Sequence, residues 1–245
     1  MMHVLLLFAV GILAGFINVM AGGGSSLTLP ALIFLGLDGA TANGTNRIAI
    51  LVQNLFAMTG FQQNKRNEFK ESFKLGLLTL PGAIIGAFVA VSINDVWFKR
   101  ILSAVIIFVI ISLFLPRPQN TIQSNKTDNK WFLYLSLIAA GFYGGFIQVG
   151  VGFIMMAILF HLAKFNLVRV NVYKVFIIFL YTIPAILVFM ISGKINWIWG
   201  LVLSAGNGLG GWIGAQVSSK KGDKVVRLVL ILVLLLMVVK LLNLF

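Results

Sequence analysis

Cysteine is absent from this 245-residue chain, which removes disulfides, thiol catalysis and thiolate metal sites. Acids are scarce: six Asp and Glu stand against nineteen Lys and Arg. All six lie in or near the polar intervals between apolar runs, which argues against a proton pump built on a buried carboxylate relay. The two histidines, His3 and His161, have no carboxylate at metal-ligand spacing, so an interfacial role outweighs a ligand role. No metal and no cofactor are expected. Gly22-Gly23-Gly24 lacks the Gly-Lys-Ser/Thr that completes a phosphate-binding loop, so ATP-driven transport by this chain is not expected either. No Ser–His pair or carboxylate pair suggests an enzyme.

What the chain has in abundance is apolar side chain: 60% hydrophobic residues against 10% charged, with a mean hydropathy of +1.02. A soluble domain of this size could not hide that much, because its surface must be largely polar. Runs such as Trp131–Val149, Tyr173–Ser192 and Val225–Val239 approach the ~20 residues a helix needs to cross ~30 Å of hydrocarbon. They are continuously apolar rather than alternating, which predicts helices and not a barrel. The fold class is therefore all-α, a polytopic integral membrane protein. The first run lacks a basic start and a small-residue cleavage site, and reads as a retained helix. A net charge of +13 would suggest nucleic acid in a soluble protein. Here the cations sit in short loops, so the reading is topological, with the bilayer and not nucleic acid as partner.

Ten apolar segments are predicted, at about 4–20, 26–37, 45–61, 74–92, 98–115, 131–149, 150–162, 172–192, 196–216 and 224–244. The second and seventh cross only about half the hydrocarbon at ~1.5 Å per residue. Each follows its predecessor through a Gly-rich break: Ala21-Gly22-Gly23-Gly24-Ser25 and Gly150-Val151-Gly152. The stretch 116–130 is the only linker-like segment and divides the chain into a first membrane repeat, 1–115, and a second, 131–245. The halves resemble each other. Gly15-Phe16-Ile17-Asn18-Val19 matches Gly145-Phe146-Ile147-Gln148-Val149 at an offset of 130, while Ile85-Gly86-Ala87 matches Ile213-Gly214-Ala215, and Asn43 matches Asn171, at 128. Each half has an odd number of crossings, whether or not its short pair is a re-entrant hairpin. The second half must therefore enter from the opposite side, giving two inverted repeats of about five segments, each opened by a broken or re-entrant helix pair. With both termini outside, fourteen of the nineteen Lys and Arg face the cytoplasm, including Lys65, Arg66, Lys70, Lys126 and Arg169, and the linker is cytoplasmic.

Two constellations could carry chemistry. At the first break, Gly22, Gly23, Gly24 and Ser25 free the backbone to turn, Gly22 to Ser26 is expected to be non-helical backbone lining a cavity, and the helix that follows, from Ser25 or Ser26, would present N–H donors and a positive dipole end to an anion. The competing reading is close helix packing through small residues. The second constellation is Asn43-Gly44-Thr45-Asn46-Arg47, with its counterpart Asn171-Val172-Tyr173-Lys174. Each half places one cation beside an Asn at the start of its third segment, with no acid in the neighbouring apolar runs to pair with both. Such cations imply an anionic ligand, or else they snorkel to the headgroups. Asn18 and Gln148 are repeat mates beside the two breaks. Gln53, Asn54, Thr182, Asn207 and Gln216 are further intramembrane polar residues.

These residues carry a resemblance. "GILAGFINVMAGGGSSLTLPALIFLGLDGATANGTNRIAI" is similar to the TauE/SafE sulfite exporter family, at Gly11 and Gly15, Gly22 to Gly24, Pro30, and Ala42 to Arg47, where Arg47 stands in place of a common Lys. The second half resembles it at Gly141, Gly145, Gly150, Gly152, Lys174, Gly193 to Trp197, and Ile213 to Ala215. It lacks the Gly triplet and the proline, and Val175 to Leu180 are apolar where relatives are often polar. The resemblance implies a membrane transporter of sulfite or another small sulfur-containing anion.

The function expected from the sequence is thus secondary transport of a small anion, with a passive anion pore and a flux-free membrane scaffold as alternatives. The candidate binding residues are Asn18, Gly22, Gly23, Gly24, Ser25, Asn43, Thr45, Asn46, Arg47, Gln148, Asn171 and Lys174. Association with further copies of the chain is left open. The topology is testable directly, since no native cysteine needs removing. Cysteines introduced at Asn67 and Asn125 are expected to react with an impermeant maleimide only from the cytoplasmic face, and labelling of either in intact cells would reverse the assignment.

Overall fold

Breaks and caps set the helix boundaries. The computed structural model describes residues 2–64, 68–112 and 130–241, and its regular structure is entirely helical. The order is α1 (Met2–Met20), α2 (Ser25–Phe34), α3 (Gly39–Gln63), α4 (Phe69–Ser92), α5 (Asp95–Ser112), α6 (Lys130–Phe146), α7 (Val151–His161), α8 (Leu167–Ile191) and α9 (Trp197–Leu241). The linker expected at 116–130 lies outside the described residues except for Lys130, as do Lys65, Arg66, Asn67, Asn125 and Lys126.

α3 starts because the Asp38 side chain accepts from the Thr41 N–H at 3.0 Å, and α8 because Asn166 accepts from the Arg169 N–H at 2.9 Å. These N-caps satisfy donors that the helix itself leaves open. Burial pushes the Asp38 carboxyl up, but the Thr41 hydroxyl and N–H and the Lys194 ammonium outweigh it and hold it below its ordinary value. Both helices begin five to six residues earlier than the apolar pattern predicts, because the caps and not hydropathy decide the start. Asn43 to Arg47 and Asn171 to Lys174 therefore lie on helix, one to two turns in, and not at its mouth.

α2 and α7 have 10 and 11 residues. At ~1.5 Å per residue each covers about half the hydrocarbon, as the sequence predicts. One expectation fails. Segments nine and ten are one continuous 45-residue helix, α9. The interval expected to separate them, 217–223, holds no proline, and its single Gly222 costs only ~1 kcal/mol in a helix.

Small residues set the packing. α1 lies along α9, and α4 along α6. A Cβ on Gly86 would collide with the Phe142 carbonyl, and one on Gly145 with that of Ala83. On the other seam, a Cβ on Gly15 would meet Asn207 and one on Gly210 the Ile12 carbonyl. In lipid, where tails are as apolar as leucine, such close backbone approach is what holds helices together. Each seam joins the N-terminal half, α1–α5, to the C-terminal half, α6–α9. The short helices sit inside: Leu29 and Leu32 of α2 pack with Phe98 of α5, and Met155 and Leu159 of α7 pack with Tyr173 and Ile177 of α8. Leu5, Leu13, Phe88 and Ile191 are exposed, the arrangement lipid favours. Met2–Met20, Lys70–Ser92 and Leu167–Ile191 are long and apolar enough to cross a membrane on composition alone. α3 is not, because it turns Asn43, Thr45, Asn46, Arg47, Gln53 and Asn54 inward.

The seam predicts its own sensitivity. Gly86→Ala gains helix propensity yet should lower stability by about 1–3 kcal/mol, since the collision is with backbone and cannot be relieved by a rotamer. Gly208→Ala should be neutral or stabilising, because its nearest neighbour is a side-chain atom 3.4 Å away. Melting of the purified protein followed by size-exclusion chromatography separates the two outcomes.

Candidate functional site

The site is built from two helix breaks that touch. α1 ends with the N–H groups of Ala21 and Gly22 both bonded to the Ile17 carbonyl, at 2.7 and 3.1 Å. Gly22 then takes φ +94°, where a Cβ would be strained, and the chain restarts as α2 at Ser25. The break is thus Ala21–Gly24, and Ser25 is already helical. In the C-terminal half, α6 ends at Phe146, Gly150 takes φ +74°, and α7 starts at Val151. A Cβ on Gly22 would collide with the backbone of Gly152, and one on Gly152 with Gly22. Two helix C-termini and two N-termini therefore converge on one buried point.

Each half reaches across to the other's break with a cation. Arg47 of α3, fully buried, donates from Nη1 to the Gly144 carbonyl at 3.0 Å and to Gln148 Oε1 at 2.9 Å, and from Nη2 to the Gly145 carbonyl. Its guanidinium also lies over the Phe189 ring, 4.7 Å from the centroid. Lys174 of α8, 1% exposed, donates to the carbonyls of Asn18 and Val19 at 3.0 and 2.8 Å and to Asn171 Oδ1 at 2.9 Å. Each cation caps the carbonyl end of the other half's opening helix, where the macrodipole is negative. Among the described residues no acidic side chain partners either cation. Each has one side-chain amide oxygen, Gln148 Oε1 or Asn171 Oδ1, and two backbone carbonyls, which no side-chain inventory contains.

The remaining candidates fall around these contacts. Asn43 donates to the Phe146 carbonyl at 2.7 Å, so Asn43, Arg47 and Gln148 gather at the second break. Gln148 itself has φ +59°, a strained value that its bond from Arg47 helps to hold. Asn18, Asn171 and Lys174 gather at the first, with Asn171 also donating to Ser218 Oγ at 3.2 Å. Asn46 accepts from Thr28 Oγ1 at 2.7 Å, which ties α3 to the first turn of α2, where Ser25 is 2% exposed. Thr45 lies apart from the breaks, accepting from the Asn196 N–H at 2.9 Å.

The structure adds residues to this set. Asn18 donates to Gln53 Oε1 at 3.2 Å, and Asn207 reaches the same oxygen at 3.5 Å, so buried amides surround the first break. Tyr181 and Thr182, 128 residues after Gln53 and Asn54, are also fully buried, with Tyr181 against Gly144 by the second break. The matching spacing was the available signal; an apolar stretch around Tyr181 masked it. Among the described residues, three buried side-chain N–H donors have no partner: Arg47 Nε, Asn46 Nδ2 and Asn54 Nδ2. Among the described residues no group of three His, Asp or Glu side chains could hold a metal. The arrangement can thus offer N–H donors and positive helix ends, in a space sealed from solvent.

Comparison with known proteins identifies the family. The family model described as "Sulfite exporter TauE/SafE" matches residues 7–241. A "Probable membrane transporter protein" of Haemophilus influenzae is 29% identical over 96% of this chain and 92% of its own length. The "Probable membrane transporter protein YfcA" of Escherichia coli is 30% identical over 96% of this chain and 88% of its own length. One from a Sinorhizobium species, described in the same terms as ORF9, is 27% identical over 96% and 91%. No solved structure matches. The chain belongs to the sulfite exporter TauE/SafE family, and is a multi-pass membrane protein of the transporter class.

Proposed function

We propose that the protein carries a small anion, sulfite or a related sulfur oxyanion or sulfonate, across the membrane by alternating access. One observation carries this reading: at the point where the breaks touch, Arg47 and Lys174 cover the carbonyl ends of α6 and α1. A helix break normally presents opposite dipole ends that largely cancel. With both negative ends neutralised, the N-termini of α2 and α7 are left as the uncompensated ends, and an anion is the natural occupant. The cations act on the anion mainly through this masking, and Arg47 Nε and Asn46 Nδ2 remain free to donate. The two seams that exchange α1 and α6 between the halves, and the matched caps at Asp38 and Asn166, support two inverted repeats meeting at 116–130. The charge bias favours an outside N-terminus, whereas the continuous α9 removes the last crossing on which an outside C-terminus was counted.

Uptake into proteoliposomes with labelled sulfite, thiosulfate, sulfate and sulfonates tests the assignment. Trans-stimulated counterflow of at least one is expected. Flux without trans-stimulation would make the protein a pore, and absence of flux for the whole panel would remove the reading.

Arg47→Gln uncovers the Gly144 and Gly145 carbonyls and should weaken anion binding roughly 10- to 30-fold, the size of a partly buried charge at a helix end. Arg47→Lys keeps the charge and should lose less. Lys174→Gln uncovers Asn18 and Val19 and should resemble Arg47→Gln. Calorimetry on monodisperse protein reads all three, and wild-type affinity in Arg47→Gln would show that the carbonyl ends do not shape the site.

A further inference from the structure

The breaks are closed off on every side. Gly22 to Gly24 are buried, Ser25 is 2% exposed, Arg47 0% and Lys174 1%. Whatever occupies this centre must enter by local separation of the two halves, so the contacts that hold the halves together at the two ends of the molecule decide when each end opens.

Those ends are identifiable. Arg169, at the start of α8, meets Glu68 and Glu71, at the start of α4, on the side where α3 ends. Lys194, just past the end of α8, meets Asp38, at the start of α3, at 3.5 Å. α3 and α8 therefore run side by side in opposite directions. With 25 residues each they put the two contacts ~37 Å apart, on opposite sides of a ~30 Å hydrocarbon layer. Acid is rare in this chain, yet three of the four acids whose side chains are described, Asp38, Glu68 and Glu71, pair with a cation of the opposite half.

The two pairs are unequal. Arg169 engages both glutamates and Tyr173, with its guanidinium over the Phe165 ring at 4.2 Å. Asp38 and Lys194 form one longer pair, of similar exposure to the Arg169 contact, so the difference lies in the number and length of the bonds.

We infer that these ion pairs are the two gates of the transport path: Glu68 and Glu71 with Arg169 close one face, Asp38 with Lys194 closes the other, and the weaker Asp38 gate opens first from the resting state. The inference rests on the alternating-access reading but makes no use of which anion is carried.

A single cysteine in place of Ser25 tests it, because the chain has none of its own. Its reaction with an impermeant maleimide is followed in right-side-out and inside-out vesicles. In the otherwise unaltered chain, labelling should be faster from the face that carries Asp38. Glu68→Gln with Glu71→Gln should raise labelling from the opposite face, and lower it from the Asp38 face, by about two- to fivefold, the population shift that partly exposed ion pairs support. Asp38→Asn, which keeps the cap of α3, and Lys194→Gln should each do the reverse, while Lys194→Arg should leave both rates near their starting values. Equal changes from both faces, no change, or a Lys194→Arg effect as large as that of Lys194→Gln in monodisperse protein would overturn the gates. Because labelling needs no substrate, transport without gating, or gating without transport of the panel anions, tells the two readings apart.

Discussion

A helix broken inside hydrocarbon leaves carbonyl oxygens with no solvent to satisfy them, and the rest of this structure depends on how those oxygens are met. The protein meets them with cations from the other half. Arg47 and Lys174 are each buried inside the protein with no carboxylate among the described residues beside them, a position that would ordinarily be costly. The carbonyl clusters at Gly144–Gly145 and Asn18–Val19 supply the negative end each cation requires. Neither the breaks nor the cations would be tolerable alone, and each half supplies what the other lacks.

That exchange explains the packing around it. For Arg47 to reach α6 and Lys174 to reach α1, α3 and α8 must run through the middle of the bundle, which is why they carry the buried cations and amides Asn43, Asn46, Arg47, Asn171 and Lys174. The opening helices must in turn lie close against helices of the opposite half. Glycine makes this possible at Gly86 and Gly145 on one seam and at Gly15 and Gly210 on the other, where backbone meets backbone. At the two ends the halves meet through exposed ion pairs, Arg169 with Glu68 and Glu71 and Lys194 with Asp38, and through a few neutral hydrogen bonds.

Much of this was legible in the residues. Composition fixed the membrane class. The Gly triplet marked the first break, and the 128–130 spacing paired Asn18 with Gln148 and Asn43 with Asn171. Ser25 proved helical, and α3 and α8 began earlier than hydropathy indicated, because Asp38 and Asn166 cap them. The single long α9 was missed because charged residues in 217–223 read as a loop, although a helix accepts them. Gln53 and Asn207 stood out as polar residues in apolar runs, but nothing in the sequence said that they meet Asn18.

By itself the sequence determined that the chain lives in a bilayer, that the second helix of each half is too short to cross it, and that two cations sit at matched positions, since these follow from hydropathy, glycine and spacing, which are local. What only the tertiary structure decided is what those cations face. Lysine and arginine are matched by carbonyl oxygens that every residue carries and that become acceptors only where a helix ends against a neighbour, so the pairing exists only once the two halves have folded around each other.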